Sequence, residues 1–373
     1  MSLPAVAMEN APALDLPTDP MHTPAGPQNW FEQWLAGRLL DVRDLHFTRV
    51  TTRITLVVLP IAFVLFLLPS AWTLALAPFY LGALLIGFGG PYLLMLHAVS
   101  HRPLYAKRQR LLNAYIPWVL GPFFGQTPTS FYVHHVGMHH REDNHGADLS
   151  ATVGYERDNW RHFLHYWARF MLVGVIHLSR YLHLRGRTRM LRQLWVGEVS
   201  WLLAVLVLGS INPAATFVVF VAPLLIIRSL FMSGNWGQHA FVDVDHQGDA
   251  YRHSTCLTNT RYNHRAYNDG YHIVHHLQPS LHWTEMAKWY VDHRHRFRDG
   301  LAVVFRGIRD NQVVFFRLMR HDYDGLAHHL VDLGEPRTQA ERVAFLKSRT
   351  RRTVGHIRGF FEFESASDTQ SST

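Results

Sequence analysis

The chain has 373 residues, 48% hydrophobic and 13% aromatic, with 36 basic against 28 acidic side chains and 27 histidines. A near-neutral mean hydropathy with this many Trp, Phe and Tyr points to membrane spans diluted by a large polar portion. The single cysteine, Cys256, excludes a disulfide framework and any cysteine-ligated iron–sulfur or rubredoxin module within the chain. There is no pattern for a fused haem domain and no internal repeat.

Residues 1–28 are rich in Pro, Ala and polar residues and carry no apolar run. They lack the basic start and hydrophobic core of a signal peptide and the arginines of a transit peptide, so a disordered tail is expected. From Ile54 to Leu96 no charged residue occurs across 43 positions. A spanning helix needs about 20 apolar residues, so this run holds two spans, with the turn at Pro69-Ser70. The second span contains GFGGP, Gly87 to Pro91, where a kink is expected. A second hairpin fits Leu194 to Trp236, turning near Asn212-Pro213. Two other apolar runs, Leu111 to Gly125 and Phe163 to Leu178 (interrupted by Arg169), are short for spans and suit helices lying in the interface.

Basic residues give the orientation. Arg38, Arg43, Arg49 and Arg53 precede the first span, and Arg102, Lys107, Arg108 and Arg110 follow the second. Arg180, Arg185, Arg187, Arg189 and Arg192 precede the third, while both hairpin tips are uncharged. The positive-inside bias therefore places both termini and everything except the tips in the cytoplasm.

Four histidine-bearing motifs lie against this frame. HAVSH carries His97 and His101, HHVGMHH carries His135, His139 and His140, NWGQH carries Asn235 and His239, and HIVHH carries His272, His275 and His276. Read as a helix, HHVGMHH puts His135 and His139 one turn apart on a single face with His140 beside them. Neutral imidazoles suit iron, zinc, copper or nickel, and nine of them exceed what one metal can use. Each motif alone is weak, because histidine is so frequent here. With four spans, however, every motif falls on one side of the membrane. If Leu111 to Gly125 crossed as well, HHVGMHH would be separated from HAVSH and no common site could form.

The order HxxxH, HxxxHH, NxxxH, HxxHH on a four-span frame resembles the membrane-bound fatty-acid desaturase and hydroxylase superfamily, over roughly residues 50 to 300. The resemblance implies an all-α integral membrane protein: four transmembrane helices in two hairpins, with a cytoplasmic helical cap carrying the metal site. It further implies a non-haem di-iron centre that uses O2 as co-substrate to attack an unactivated C–H bond of a lipid acyl chain. The expected iron ligands are His97, His101, His135, His139, His140, His239, His272, His275 and His276, with Asn235 holding an iron-bound water as in stearoyl-CoA desaturases. Those enzymes usually have HxxHH as the second motif. The HxxxHH found here is the spacing of membrane alkane monooxygenases, and it leaves open whether His134 or His135 is the ligand and whether the product is an alkene or an alcohol. A hydroxylase or ketolase acting on an alkane, sphingolipid or carotenoid is the enzymatic alternative. Metal transport is the alternative of another class, disfavoured because the 43-residue run holds no histidine.

The expected domains are a polar tail at 1–45, a catalytic domain at 46–300 and a cytoplasmic extension at 301–373. Glu142, Asp143, Asp148 and Asp269 flank the motifs and are candidates to orient ligands, as are His145, His264 and His282. His162, His165, His177 and His183 read as interfacial anchors. Glu198 and Arg228 sit near the cytoplasmic ends of spans three and four, where they pair or face the site. KSRTRR, Lys347 to Arg352, reads as a solvated or lipid-facing run, or as a dock for the external electron donor that the resemblance requires: a ferredoxin, a rubredoxin, or a b5-type cytochrome with its reductase. No nucleic-acid-binding fold accompanies the charge.

Overall fold

The computed structural model describes residues 17–19, 25–353, 355 and 357–362. After a short helix α1 (Trp30–Ala36), four helices are long and apolar enough to cross a bilayer. Helix α2 covers Leu45–Leu67 and α3 covers Ser70–His101. The uncharged stretch explains their length, and the break falls where the sequence places the turn, with Pro69 as the N-cap of α3. Helix α3 is π-helical over Ala83–Gly89, at the expected site of the kink, so the helix is rewound there. A helical segment of mixed winding follows (α4, residues 110–124), then α5 (residues 130–142) and the long α6 (Trp160–Leu184). Helices α7 (Thr188–Ile211) and α8 (Pro213–Gln238) form the second hairpin.

The hairpins meet tip to tip. The Asn212 side-chain amide donates to the Leu68 carbonyl at 3.1 Å, and within the first hairpin the Thr73 hydroxyl donates to Leu65 O at 3.0 Å. Along α2, Ile54, Val58, Ala62 and Leu65 recur at helical spacing and are buried, whereas Leu56, Phe63 and Leu67 point outward with Trp72, Phe79 and Ile86 of α3. An exposed apolar belt of this kind belongs in lipid. The segment α4 does not extend the bundle. It is pinned against the spans by Tyr92, whose hydroxyl donates to Ile116 O at 2.8 Å and whose ring stacks on Phe124 at 4.2 Å.

Because both hairpins turn at the same side, the other ends of all four spans share one side, and there the cap is built. A parallel strand pair, β1 (Thr255–Thr258) with β2 (Val303–Arg306), lies at its centre. Helices α9 (His272–Leu277), α10 (Asn311–Met319) and α11 (Gln339–Ser348) surround it. Arg157 is fully buried beneath and ties distant segments together. Its guanidinium donates to Ala240 O at 2.8 Å, Tyr155 O at 3.0 Å, Arg349 O at 2.9 Å and also to Arg351 O.

Three expectations are corrected here. Residues 1–16 and 20–24 of the expected disordered tail lie outside the described residues, but Asp19 is buried and held, accepting from Asn259 N at 2.7 Å and the Tyr271 hydroxyl at 2.6 Å. The KSRTRR stretch is solvated only in part: Lys347 and Arg351 are exposed, Arg351 bonding the equally exposed Asp245 at 2.8 Å, while Arg349 is buried beside Asp243. Arg349 alone is drawn inward, where its carbonyl accepts from Arg157. His177 is no interfacial anchor but lies buried under the C-terminal segment, 2.8 Å from Phe360 O.

Candidate metal centre and its cavity

The nine predicted histidines come together where α3, α5, α8 and α9 reach the cap, and they sort into two groups. His97, His101, His135, His140 and His275 form one, and His139, His239, His272 and His276 the other. In each, one ring nitrogen per residue lies within 4.8 Å of the rest. His97 and His101 are one α-turn apart on α3, and His272 and His276 one turn apart on α9, with His275 turned to the other group.

The HHVGMHH motif departs from the expected face. Residues His135–His139 form a π-helical turn, in which positions five apart come into line. His135 therefore pairs with His140, Nε2 to Nε2 at 3.1 Å, while His139 is delivered to the second group. The extra residue of HxxxHH over HxxHH is absorbed by the wider turn. His134 stays outside both groups, with its Nε2 4.0 Å from Asp148. Burial pushes its pKa down to about 4.

The outer nitrogens are fixed by acceptors. His139 Nδ1 lies 2.6 Å from Asp148, His97 Nδ1 2.8 Å from Asp269, His276 Nδ1 2.8 Å from Asp143, and His239 Nδ1 2.8 Å from His253 O. Each contact assigns the proton to Nδ1 and leaves a lone pair on Nε2. The carboxylates are held in turn: Asp148 accepts from the Ser150 backbone and hydroxyl, and Asp269 from Tyr262 and Gln238. Among the inner nitrogens, His97 and His140 each face His275 at 2.8 Å, and His272 faces both His239 and His276 at 3.1 Å.

Such spacings fit metal ions. Two nitrogens each about 2.1 Å from one metal, at right angles, stand about 3.0 Å apart. Lone pairs aimed at one another without a cation would repel, and the buried Nε2 of His101 meets no hydrogen-bond partner. Burial, reinforced by the neighbouring imidazoles, holds His135, His140, His239, His272 and His275 well below the usual imidazole pKa, so they are the neutral rings that metals bind. Burial also lowers His276, against Asp143. For His139 burial acts downward too, but Asp148 prevails and raises it.

Of the flanking candidates, Asp143, Asp148 and Asp269 hold the rings of His276, His139 and His97. Glu142 instead accepts from Tyr181 at 2.6 Å, His282 pairs with Asp44 at 3.0 Å, and His264 is exposed. His145 reaches the site only at one remove, with its ring 5.5 Å from that of His253. His253, which shares Asp143 with His276, carries no motif spacing and is invisible in the sequence.

A cavity of about 130 Å³ opens onto His97, His135, His139 and His272. Its walls are largely apolar, including Phe131, Phe170, Leu178 and Phe231. Asn235 lines it too, its amide nitrogen donating to Ser150 O at 3.0 Å and to the Tyr166 hydroxyl at 2.9 Å. Glu198 and Arg228 face it from spans three and four, ten residues inside those helices rather than near their ends.

Four apolar helices, a cap and a two-part imidazole cluster at the end of an apolar cavity define an integral membrane protein with a histidine-rich metal-binding centre. The sequence model of the fatty acid desaturase family matches residues 69–307, and the chain belongs to that family. Membership makes it an oxidoreductase of the desaturase and hydroxylase type with a lipid substrate. Neither a curated protein nor a solved structure matches it.

Proposed function

We propose that the protein is an oxygen-dependent di-iron oxidoreductase that introduces a double bond into a lipid acyl chain. The observation that carries this is the division of nine imidazoles into groups of five and four at the end of an apolar cavity. His97, His101, His135, His140 and His275 would hold one iron, and His139, His239, His272 and His276 the other, with Asn235 beside the second group. Iron so held supplies activation of O2 for hydrogen abstraction from an unactivated carbon. Asp143, Asp148 and Asp269 keep the rings in register, and the apolar walls hold the chain against the centre while excluding water. In sum, O2 removes one hydrogen from each of two adjacent carbons and, with two electrons and two protons, leaves as two waters. The electrons would come from an external ferredoxin, rubredoxin or b5-type cytochrome with its reductase, since one cysteine cannot ligate an iron–sulfur cluster within these residues.

Lipid mass spectrometry of cells expressing the protein with a suitable donor tests the reaction. A loss of two mass units in an acyl chain, absent in His276→Ala, is expected. A gain of sixteen would mean hydroxylation instead.

Orientation is part of the same reading. The arginines flanking the spans put the cap, the metals and both chain ends on the cytoplasmic side. Cysteines introduced at the exposed Ser70 and Ser210 should react with an impermeant thiol reagent from outside, and one at Ser348 of the cap should not. The native Cys256 is buried and gives no background. Labelling of Ser348→Cys from outside would invert the topology.

A further inference from the structure

The cavity has a charged end as well as a metal end. Arg228, Phe231, Met232, Asn235 and Gln238 of α8 all line it at helical spacing, so it follows one face of that helix. Seven residues separate Arg228 from Asn235, a rise of about 10 Å. At the far end the Thr127 hydroxyl donates to Glu198 Oε1 at 2.5 Å and accepts from Arg228 Nη2 at 3.1 Å. Thr127 thus bridges the two charges, with one hydrogen bond to each.

The guanidinium is served differently. Among the described residues its hydrogen bond to Thr127 is the only one it makes, while a guanidinium carries several N–H donors in a rigid fork. Charge within a spanning helix is costly and is kept where it faces a partner or a cavity. Glu198 supplies the counter-charge to Arg228, but beyond Thr127 no second hydrogen-bond acceptor meets the guanidinium among the described residues. A plain alkane, or the unsubstituted end of an acyl tail, would place hydrocarbon against those donors.

We propose that Arg228 binds an acceptor oxygen of the substrate, a carboxylate or a ketone-type carbonyl, about two helical turns along α8 from Asn235 at the metal end of the cavity. The substrate is then an oxygenated hydrocarbon whose polar group lies inside the membrane-spanning region, and Arg228 sets the specificity. This rests on the cavity being the substrate site of the oxidoreductase proposed above.

Binding of dodecanoate, methyl decyl ketone and dodecane to the iron-loaded full chain in lipid nanodiscs tests it. Dodecanoate, the ketone or both should bind at least about tenfold more tightly than dodecane. Preference for dodecanoate alone identifies a carboxylate, and preference for both identifies a carbonyl oxygen. In Arg228→Met the preference should vanish, with iron content and dodecane binding retained. If the neutral double variant Arg228→Met, Glu198→Met is needed for the span to fold, it should likewise show no preference. Equal binding of the three compounds by the native chain, or a preference that survives loss of Arg228, overturns the proposal. Failure of the parent reading looks different: the preference would stand while no lipid product formed with O2 and donor.

Discussion

Replacing His239 with Ala is expected to abolish turnover and to remove one of the two bound irons. His239 belongs to the group of four, so three imidazoles remain. Changing residues that merely orient a metal ligand commonly costs 10–100-fold, and losing a ligand from the smaller group should exceed about 100-fold in activity. His101→Ala removes one of five and leaves four, so it should retain more iron than His239→Ala does. Asp148→Asn, which keeps shape but unsettles the His139 ring, should fall between the two and the native protein. Iron content and oxygen uptake measured on the same preparations check the order. Equal iron loss from both histidine variants would contradict the five-and-four division.

The second large effect is on stability. Arg157→Met is expected to destabilise the fold by about 3–5 kcal/mol, since removing one partner of a buried polar network leaves the others unpaired. The orphaned groups are the carbonyls of Tyr155, Ala240, Arg349 and Arg351, drawn from segments far apart in sequence. A fall of roughly 5 °C in the unfolding midpoint corresponds to that loss for a chain of this length. Because Arg349 and Arg351 sit in the stretch that follows α11, early release of the C-terminal segment should accompany it, read by limited proteolysis after Ser348. An unchanged midpoint would mean that water serves those carbonyls as well as Arg157 does.

The sequence made some of this legible, for physical reasons that also mark its limits. Forty-three residues without charge have few places to go but a bilayer, so the first hairpin and its turn at Pro69-Ser70 could be read directly. HIVHH needed only the regular α-helical period to place His272 and His276 together. HHVGMHH defeated the same reasoning, because a π-helical turn changes the period from within and nothing in the residue types announces it. His134 and His135 were indistinguishable by spacing and became distinct once the turn was visible. Arg157 and His253 act through backbone carbonyls and a shared carboxylate brought from elsewhere in the chain, and such contacts leave no local pattern. Glu198 and Arg228 could be picked out as costly charges within spans, but Thr127 between them comes from a loop.

The proposal that two irons occupy these nine imidazoles is tested most directly by elemental analysis of the purified full-length protein. About two irons per chain are expected, one for each group of histidines. One zinc per chain and no iron would contradict it.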